Sequence, residues 1–360
     1  MGSRDNQERF YIIDSLRFSA ALAVVFYHYV FRGWADDDFS PLVFPALSEV
    51  FKYGYLGVEL FFIISGFVIY MSIQHATPSK FVIGRISRLY PAFWVCVTLT
   101  YLSIELAQLP QFQASFFQYL YNLSMVSGYL YLPHIDGVYW TLLIEIKFYF
   151  LMFCILLFKA KKHMLVILAV WLCIVFLHST KLFILPNSIE FFLFPAYACY
   201  FISGVLFFLI HQKGVCITKM LLLSICFALG IHNAHFDMLQ LATKYNSTFN
   251  IYVIASIIAS FYLLFFAIAT KKISIKQSSK ITLMGALTYP LYLAHQNIGF
   301  IIFNLLDGTL NKYLILGLTT IFMLLVAYLV HKYVEAPFAS WLKHQLNRLV
   351  NFASRSAASA

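Results

Sequence analysis

Long apolar runs alternate with short polar segments along the whole chain. Each run is close to the roughly 20 residues that an α-helix needs to cross a bilayer, and no polar segment between runs is long enough to bury a core of its own. The pattern predicts an all-α bundle of about ten transmembrane helices. The predicted spans cover residues 12–31, 55–73, 89–105, 138–158, 164–178, 191–210, 217–231, 251–269, 283–305 and 313–337. The fifth and seventh runs are short, so nine or eleven helices also fit the pattern.

Composition indicates a bilayer rather than water as the surroundings of most side chains. Hydrophobic residues make up 61% of the 360 residues and charged residues 11%, whereas soluble domains are about one quarter charged. We expect one membrane domain over residues 1–338 and a cytoplasmic tail over 339–360, whose amphipathic first part suits the inner leaflet. The first apolar run has no small-residue cleavage site behind it, which predicts a retained helix rather than a signal peptide.

The distribution of Lys and Arg predicts the orientation. With the N-terminus in the cytoplasm, eighteen of the 25 Lys and Arg residues fall on or near the cytoplasmic face and five on the opposite face. This asymmetry follows the positive-inside rule, and an even number of spans returns the C-terminus to the cytoplasm. The net charge of +10 is then mostly an orientation signal with anionic lipid as its partner, and no basic patch indicates nucleic acid. The six Cys lack C-x-x-C spacing, so neither a metal site nor a disulfide is expected.

Ionisable residues inside the predicted spans are the first functional signal, because each costs on the order of 3 kcal/mol and needs a partner or a role. They are Asp14, Arg17, His28, Glu59, Glu145, Lys147, His295, His331, Lys332 and Glu335. Arg17 and His28 share one face of an ideal helix to within about 20° and are about 16 Å apart along its axis. Asp14 precedes Arg17 by three residues and can pair with it, although Arg17 can equally be an inner-leaflet anchor.

The remaining buried charges favour a shared interior site. Glu59 lies in the outer third of the second span, beside small residues that allow close helix packing. Glu145 lies in the outer half of the fourth span and His295 near the middle of the ninth. Glu335 lies at the cytoplasmic end of the tenth span, at a depth similar to Arg17, so an ion pair between the first and last helices is expected.

Arg85 and Arg88 form an R-x-x-R sequence at the predicted cytoplasmic mouth of the third span. Two guanidinium groups three residues apart on a helix can together hold phosphate oxygens. Taken alone, the two arginines also fit the ordinary positive-inside distribution.

Several segments together resemble the integral-membrane acyltransferase 3 family, in the form without an SGNH hydrolase-like domain. They occur in the family's order between residues 14 and 337, which makes the resemblance specific. The segments are Arg17-x10-His28, GVELFFIISGF at 57–67, the arginines at 85 and 88 followed by Tyr90-Pro91, Trp140-Thr141-Leu142 with Glu145, Y-P-L-Y-L-x-H at 289–295, and Glu335-x-Pro337.

The resemblance implies an enzyme that moves an acyl group, usually acetyl from cytoplasmic acetyl-CoA, to a hydroxyl of a cell-surface or lipid-linked carbohydrate. Such enzymes modify O-antigen, exopolysaccharide or peptidoglycan, and the resemblance implies a bacterial inner membrane as the location. Acetyl-CoA, the glycan and membrane lipid are the implied partners, with no metal. The chain departs from the family pattern at Glu59, where Asp is common, and at Gln296-Asn297, where a proline is common. Both departures leave the acceptor less defined.

On this resemblance, His28 is the expected general base for the acceptor hydroxyl, with Glu59 or Glu145 orienting its ring. His295 is the rival base, or a hydrogen-bond donor to the developing oxyanion. A covalent acyl-enzyme on Ser65 or on a histidine is a further alternative.

The donor end of the expected site is basic. Arg85 and Arg88 are expected to hold the coenzyme A phosphates in the cytoplasm, while the thin pantetheine arm reaches into the membrane. Arg17, paired with Asp14 or Glu335, is expected to shape the passage or to contact the coenzyme.

Two other classes of protein fit part of the same sequence pattern. Buried charges and about ten spans also occur in proton-coupled transporters, but the sequence shows no inverted repeat and no matched pair of broken helices. A purely structural membrane protein would leave the clustered ionisable residues without a role.

Overall fold

The computed structural model describes residues 10–36 and 39–359, with side chains up to Asn351. This part of the chain contains helices and no strand. The long helices are α1 (Tyr11–Phe26), α2 (Gly57–Ser72), α3 (Pro78–Ala107), α4 (Trp140–Leu157), α5 (Met164–Ser179), α6 (Pro195–Lys213), α7 (Ile217–Lys244), α8 (Ile251–Ala269), α9 (Ser279–Leu306), α10 (Lys312–Val330) and α11 (Ala336–Ser359). The all-α architecture predicted from the apolar pattern is therefore confirmed.

Two π-helical segments and several short helices complete the described secondary structure. Tyr27–Arg32 continues α1, and His331–Glu335 joins α10 to α11. Short α-helices cover Gly33–Ala35, Pro45–Phe51, Phe116–Asn122 and Asn187–Leu193, and 3-10 turns cover Gly54–Leu56, Ser127–Leu130, Gly137–Tyr139 and Ala160–His163. π-Helical turns are rare and concentrate at functional sites. The π-helical turn that carries His28, at the C-terminal end of α1, is therefore a candidate functional segment.

Eight helical segments in the described part of the chain are long and apolar enough to cross a membrane. The helices α1 and α9 are not among them, because polar residues such as Asp14, Arg17 and His295 interrupt their apolar sequence. The protein is thus a multi-pass membrane protein, while the count of ten crossings and the side on which each terminus lies remain predictions. Below, the end of the bundle where α1 begins is the proximal end, and the end that contains Arg32 is the distal end.

Three helix boundaries differ from the prediction. The helix α3 begins at Pro78, so Arg85 and Arg88 lie within it rather than at its start. The helix α7 continues to Lys244 through a segment expected to be a loop, because its Asn233 faces the bundle and donates to the carbonyls of Pro195 and Ala196. The expected tail is helical and continuous with α10 through the π-helical segment, and α11 packs against α3.

Glycine allows the helices around the site to approach closely. A Cβ atom on Gly66 of α2 would collide with the carbonyl of Phe201, and one on Gly204 of α6 would collide with the carbonyl of Ile63. These two helices therefore pack backbone against backbone, as small residues permit in membrane proteins. The contact fixes α2, which carries Glu59 and Ser65.

Gly204→Ala is expected to destabilise the bundle, although the same change normally favours a helix by about 1 kcal/mol. The added methyl group has no space beside the Ile63 carbonyl, and overpacking costs about 1–3 kcal/mol. Thermal unfolding of purified protein in detergent measures the effect. Gly317→Ala in α10, where nothing lies within 4 Å of the added atom, is the matched control and should not lower the melting temperature. Equal melting temperatures for the two variants would contradict the tight α2–α6 contact.

Candidate active site

A pair of buried histidines joins α1 to α9. His28 Nδ1 lies 3.0 Å from His295 Nε2, and both side chains are buried. Tyr29 strengthens the same contact, since its hydroxyl donates to the His295 carbonyl over 2.7 Å. Both histidines were candidates from the sequence, and the structure brings them into direct contact.

The hydrogen-bond partners assign one tautomer to each ring. Arg32 Nη1 can only donate, so His28 Nε2, 3.2 Å away, accepts and the His28 hydrogen is on Nδ1. That hydrogen points to the Val24 carbonyl at 2.8 Å and to His295 Nε2. The hydrogen of His295 is on Nδ1 and points to the Tyr292 carbonyl at 2.8 Å. Two neutral rings thus satisfy each other in a setting where a charged ring would be costly.

Arg32 connects His28 to a polar network at the distal end. Its Nη1 also donates to Gln296 Oε1 over 2.9 Å, and its Nε donates to Asp36 Oδ2 over 3.1 Å. The same Asp36 oxygen accepts from Lys244 Nζ over 3.0 Å. The guanidinium is therefore held from three sides, which fixes the donor that faces His28.

Glu59 and Glu145 are not among the hydrogen-bond partners of the His28 ring in the described structure. Glu145 accepts from Ser65 Oγ over 3.1 Å and from the Tyr149 hydroxyl over 2.7 Å. Glu59 is 4% exposed, and its Oε2 has no hydrogen-bond partner. The ring that was expected to be oriented by a carboxylate is held instead by a second imidazole and a guanidinium.

Two cavities meet near the middle of the bundle and share Val58 and Tyr292 as a wall. The arginine cavity, on the proximal side, has a volume of about 90 Å³. It is bordered by Arg17, Ser65, Arg88, Glu145 and Tyr149, among others. The histidine cavity has a volume of about 290 Å³. It is bordered by His28, Arg32, Glu59, Asp237 and several aromatic residues.

The two arginines of the R-x-x-R sequence face different spaces. Arg88 borders the arginine cavity. Arg85 borders a proximal cavity of about 750 Å³, and its guanidinium lies over the rings of Phe81 and Tyr149, 5.5 and 5.6 Å from their centroids. Tyr149 also borders the arginine cavity, so Arg85 and Tyr149 stand between the two spaces.

The expected ion pair between the first and last helices does not form. Glu335 Oε2 lies 2.9 Å from His331 Nδ1, so its partner is one turn away on its own segment. The π-helical turn over His331–Glu335 changes the direction in which residue 335 points, which ideal helical spacing could not foresee. Arg17 lies within electrostatic range of Asp14, Arg88 and Glu145 instead.

Comparison with known proteins identifies the family. The family model described as an acyltransferase domain, that of the acyltransferase 3 family, matches residues 10–348. The chain belongs to the acyltransferase 3 family. No curated protein and no solved structure matches the chain significantly. Membership in the family and the apolar helices together make the protein a multi-pass membrane acyltransferase.

Three polar residues of this acyltransferase were missed by sequence reasoning. Arg32 was assigned to a loop on the opposite face, although its position four residues after His28 was a usable signal. Asp237 lies in a segment that the apolar pattern predicts to be a loop, whereas the structure makes this segment part of α7. Lys343 borders the proximal cavity from α11, and nothing in the amphipathic pattern distinguished it from a residue of a tail.

Asp136 anchors the acyltransferase's distal loop to α9. Its Oδ2 accepts from the Asn297 backbone over 3.0 Å, and its Oδ1 accepts from the Val138 backbone over 3.2 Å. Burial raises the pKa of this carboxyl to about 6, although the two backbone hydrogen bonds act in the opposite direction. The carboxyl thus holds in place the residues next to His295 and the start of α4.

The raised pKa of Asp136 predicts a pH-dependent stability. The folded protein retains this proton more strongly than the unfolded chain, whose carboxyl has a pKa near 3.8. The contribution of Asp136 to stability is therefore greatest below pH 3.8 and falls as the pH rises through about 6. Relative to Asp136→Asn, which cannot titrate, the wild-type melting temperature should decrease between about pH 4 and pH 7. A constant difference between the two proteins over that range would contradict the shifted pKa.

Proposed function

We propose that the protein transfers an acyl group, with acetyl as the simplest case, from cytoplasmic acyl-CoA to a hydroxyl of a cell-surface or lipid-linked carbohydrate on the other side of the membrane. The observation that carries the proposal is the succession of a basic proximal cavity, a narrow arginine cavity and a histidine cavity along one bundle. Such a succession suits a donor and an acceptor that approach from opposite sides. The proximal end is cytoplasmic in this proposal, and the membrane is a bacterial inner membrane.

The proximal cavity suits the nucleotide of coenzyme A. Lys80, Arg85 and Lys343 border it together with His75 and His211, and its described border contains no Asp or Glu. Arg85 Nε is buried and has no hydrogen-bond partner in the described structure, so an anion that reached it would satisfy a donor that the fold leaves open. A polyanionic nucleotide can thus remain at the cytoplasmic end.

The arginine cavity suits the pantetheine arm and the thioester. Its volume of about 90 Å³ admits a thin chain and excludes the nucleotide. Arg17 and Arg88 border it, and Glu145 is anchored by Ser65 and Tyr149 on its wall. An arm that passes between Arg85 and Tyr149 would bring its thioester towards the wall formed by Val58 and Tyr292.

His28 is the better placed of the two histidines to act as the base. It borders the histidine cavity, whereas His295 is fully buried and is not among the residues that border the cavity. The His28 lone pair is on Nε2, where Arg32 now donates. An acceptor hydroxyl that replaces this donor would present its own hydrogen to the same lone pair.

The proposed acyl transfer uses the hydrogen bonds of His28 in the following order. As His28 Nε2 takes the hydroxyl proton, the oxygen attacks the thioester carbonyl, and the C–S bond breaks when the tetrahedral intermediate collapses. The leaving thiolate takes the proton from His28, which returns to the neutral form. His295 Nε2 accepts from His28 Nδ1 throughout and stabilises the transient imidazolium, as the third group of a triad does. His295 is thus a positioning residue.

Transfer of label tests the function. Protein reconstituted in vesicles is supplied with radiolabelled acetyl-CoA on its proximal side and with isolated envelope glycan on the other. We expect label on the glycan and a loss of about 10²–10⁴-fold in His28→Ala, the usual contribution of a general base. Ser65→Ala should retain activity if transfer is direct. Lys312→Ala is the control, since Lys312 is half-buried, donates to the Val43 carbonyl and borders none of the three cavities. Label that crosses the vesicle without joining glycan would indicate a transporter instead.

The donor site predicts different effects for the two arginines. Arg85→Ala should weaken binding of acetyl-CoA and of its nucleotide fragment, adenosine 3′,5′-bisphosphate, by about tenfold, since a charged hydrogen bond contributes about 1.5–3 kcal/mol. Arg88→Ala should leave binding of the fragment unchanged and weaken only the binding of the full donor.

Titration calorimetry with both ligands measures these affinities. Lys332→Ala is the matched control, because its ammonium group lies over the rings of Tyr328 and Tyr333 rather than in the proximal cavity. Unchanged fragment binding by Arg85→Ala would contradict a phosphate site in the proximal cavity.

A further inference from the structure

The histidine cavity contains two acidic residues that the transfer mechanism does not use. Glu59 from α2 and Asp237 from α7 both border it and lie within electrostatic range of each other. Neither forms an ion pair with a described Lys, Arg or His. Two acidic side chains therefore share one cavity without an ion-pair partner in the described structure.

Glu59 is the second and independent sign of a missing partner. Its side chain is 4% exposed and borders the cavity, yet its Oε2 accepts no hydrogen bond in the described structure. The hydroxyl of Tyr55, which borders the same cavity, also has no partner. Buried polar atoms without partners are rare and costly, so a ligand that donates hydrogen bonds at this wall would repay that cost.

The only cation that borders the cavity in the described structure is already engaged. Arg32 donates through Nε to Asp36 and through Nη1 to Gln296 and His28, and its ion pair is with Asp36 rather than with Glu59 or Asp237. A neutral hydroxyl could satisfy Glu59 Oε2, whereas an ammonium group would satisfy it and also stabilise the ionised form of a carboxylate in a low-dielectric setting.

The aromatic lining of the histidine cavity also favours a ligand with an ammonium group. Tyr55 and Tyr197 border the cavity and lie within electrostatic range of both acidic residues, and Trp140 borders it as well. Aromatic faces beside carboxylates are the usual recognition set for an ammonium group. The volume of about 290 Å³ is close to the lower limit of small-ligand sites, roughly 300 Å³.

We infer that the histidine cavity holds an acceptor unit that carries a protonated amine, with the ammonium group bound by Glu59 and Asp237 among the tyrosines and a hydroxyl presented to His28. The acceptor class is thus an amino sugar with a free amine. This inference rests on the proposed function only for the role of the hydroxyl. Glu59 and Asp237 are specificity residues in it, and neither takes part in the acyl transfer.

Binding of three matched probes tests the site without any acyl donor. Full-length protein in detergent is titrated with methyl glucosaminide, methyl glucoside and methyl N-acetylglucosaminide at one ionic strength, at a pH where the amine is protonated. The amine probe should bind about tenfold more tightly than either neutral probe. Equal affinities for the three probes, or tighter binding of a neutral probe, would overturn the inference.

Variants locate the preference at the acidic wall. Glu59→Gln and Asp237→Asn should each reduce the tenfold preference at least severalfold, whereas Lys312→Gln should retain it. Melting temperature and size-exclusion profile establish whether each variant is folded. If Glu59→Gln does not fold, the comparison of Asp237→Asn with the wild type tests the inference. A preference that survives in folded Asp237→Asn and Glu59→Gln would refute the assignment. Because no thioester is present, an amine preference without glycan labelling would reject the proposed function and leave the site in place.

Discussion

One hydrogen on His28 Nδ1 holds the site together, because it is shared between His295 on α9 and the Val24 carbonyl on α1. The two helices can approach each other because Gly299 of α9 has no side chain. A Cβ atom at this position would collide with the Tyr29 ring. Once the rings are in contact, the surrounding carbonyls and Arg32 leave a single arrangement of hydrogens that satisfies both. The direction of the His28 lone pair, and with it the position where an acceptor can react, follows from helix packing.

The bundle tolerates several of its polar groups because they are balanced by local partners rather than across the membrane. Arg32, Asp36 and Lys244 neutralise one another at the distal end, and Glu145 is satisfied by two hydroxyls. Apolar helices such as α5 and α8 expose most of their surface on the outside of the bundle, whereas α2 and α6 are mostly buried. The helices α1 and α9, which carry more polar residues, can therefore be shielded by their neighbours without being strongly apolar themselves.

The sequence predicted the all-helical fold, and the structure brings the two candidate histidines into contact, but the prediction failed where residue type alone had to choose a partner. Arg17 and His28 both border interior cavities, as an eleven-residue separation requires. The π-helical turns shift the phase of every later residue, so the ion pair expected between Arg17 and Glu335 could not be tested from periodicity. The contacts of Arg32 with His28 and of Glu335 with His331, by contrast, both have the four-residue spacing of helical neighbours. The assignment of Glu59 and Glu145 to the His28 ring failed for another reason, because residue type shows that a carboxylate needs a partner but not which partner tertiary packing provides. Gln296, which departs from the family pattern, accepts a hydrogen bond from Arg32.

The wall between the two cavities decides how a thioester and a hydroxyl can meet. Val58 and Tyr292 form it, and the Tyr292 hydroxyl lies 2.9 Å from Thr141 Oγ1 on α4. A neutral hydrogen bond of this kind contributes about 0.5–1.5 kcal/mol, which is small beside the barrier of an enzymatic reaction with a turnover near 10 per second, about 16 kcal/mol. Loss of this hydrogen bond would therefore not limit the rate under the proposed function. With the ring in place, water from the distal side is kept from the thioester, so the same side chain that admits the acceptor also protects the donor from hydrolysis under the proposed function.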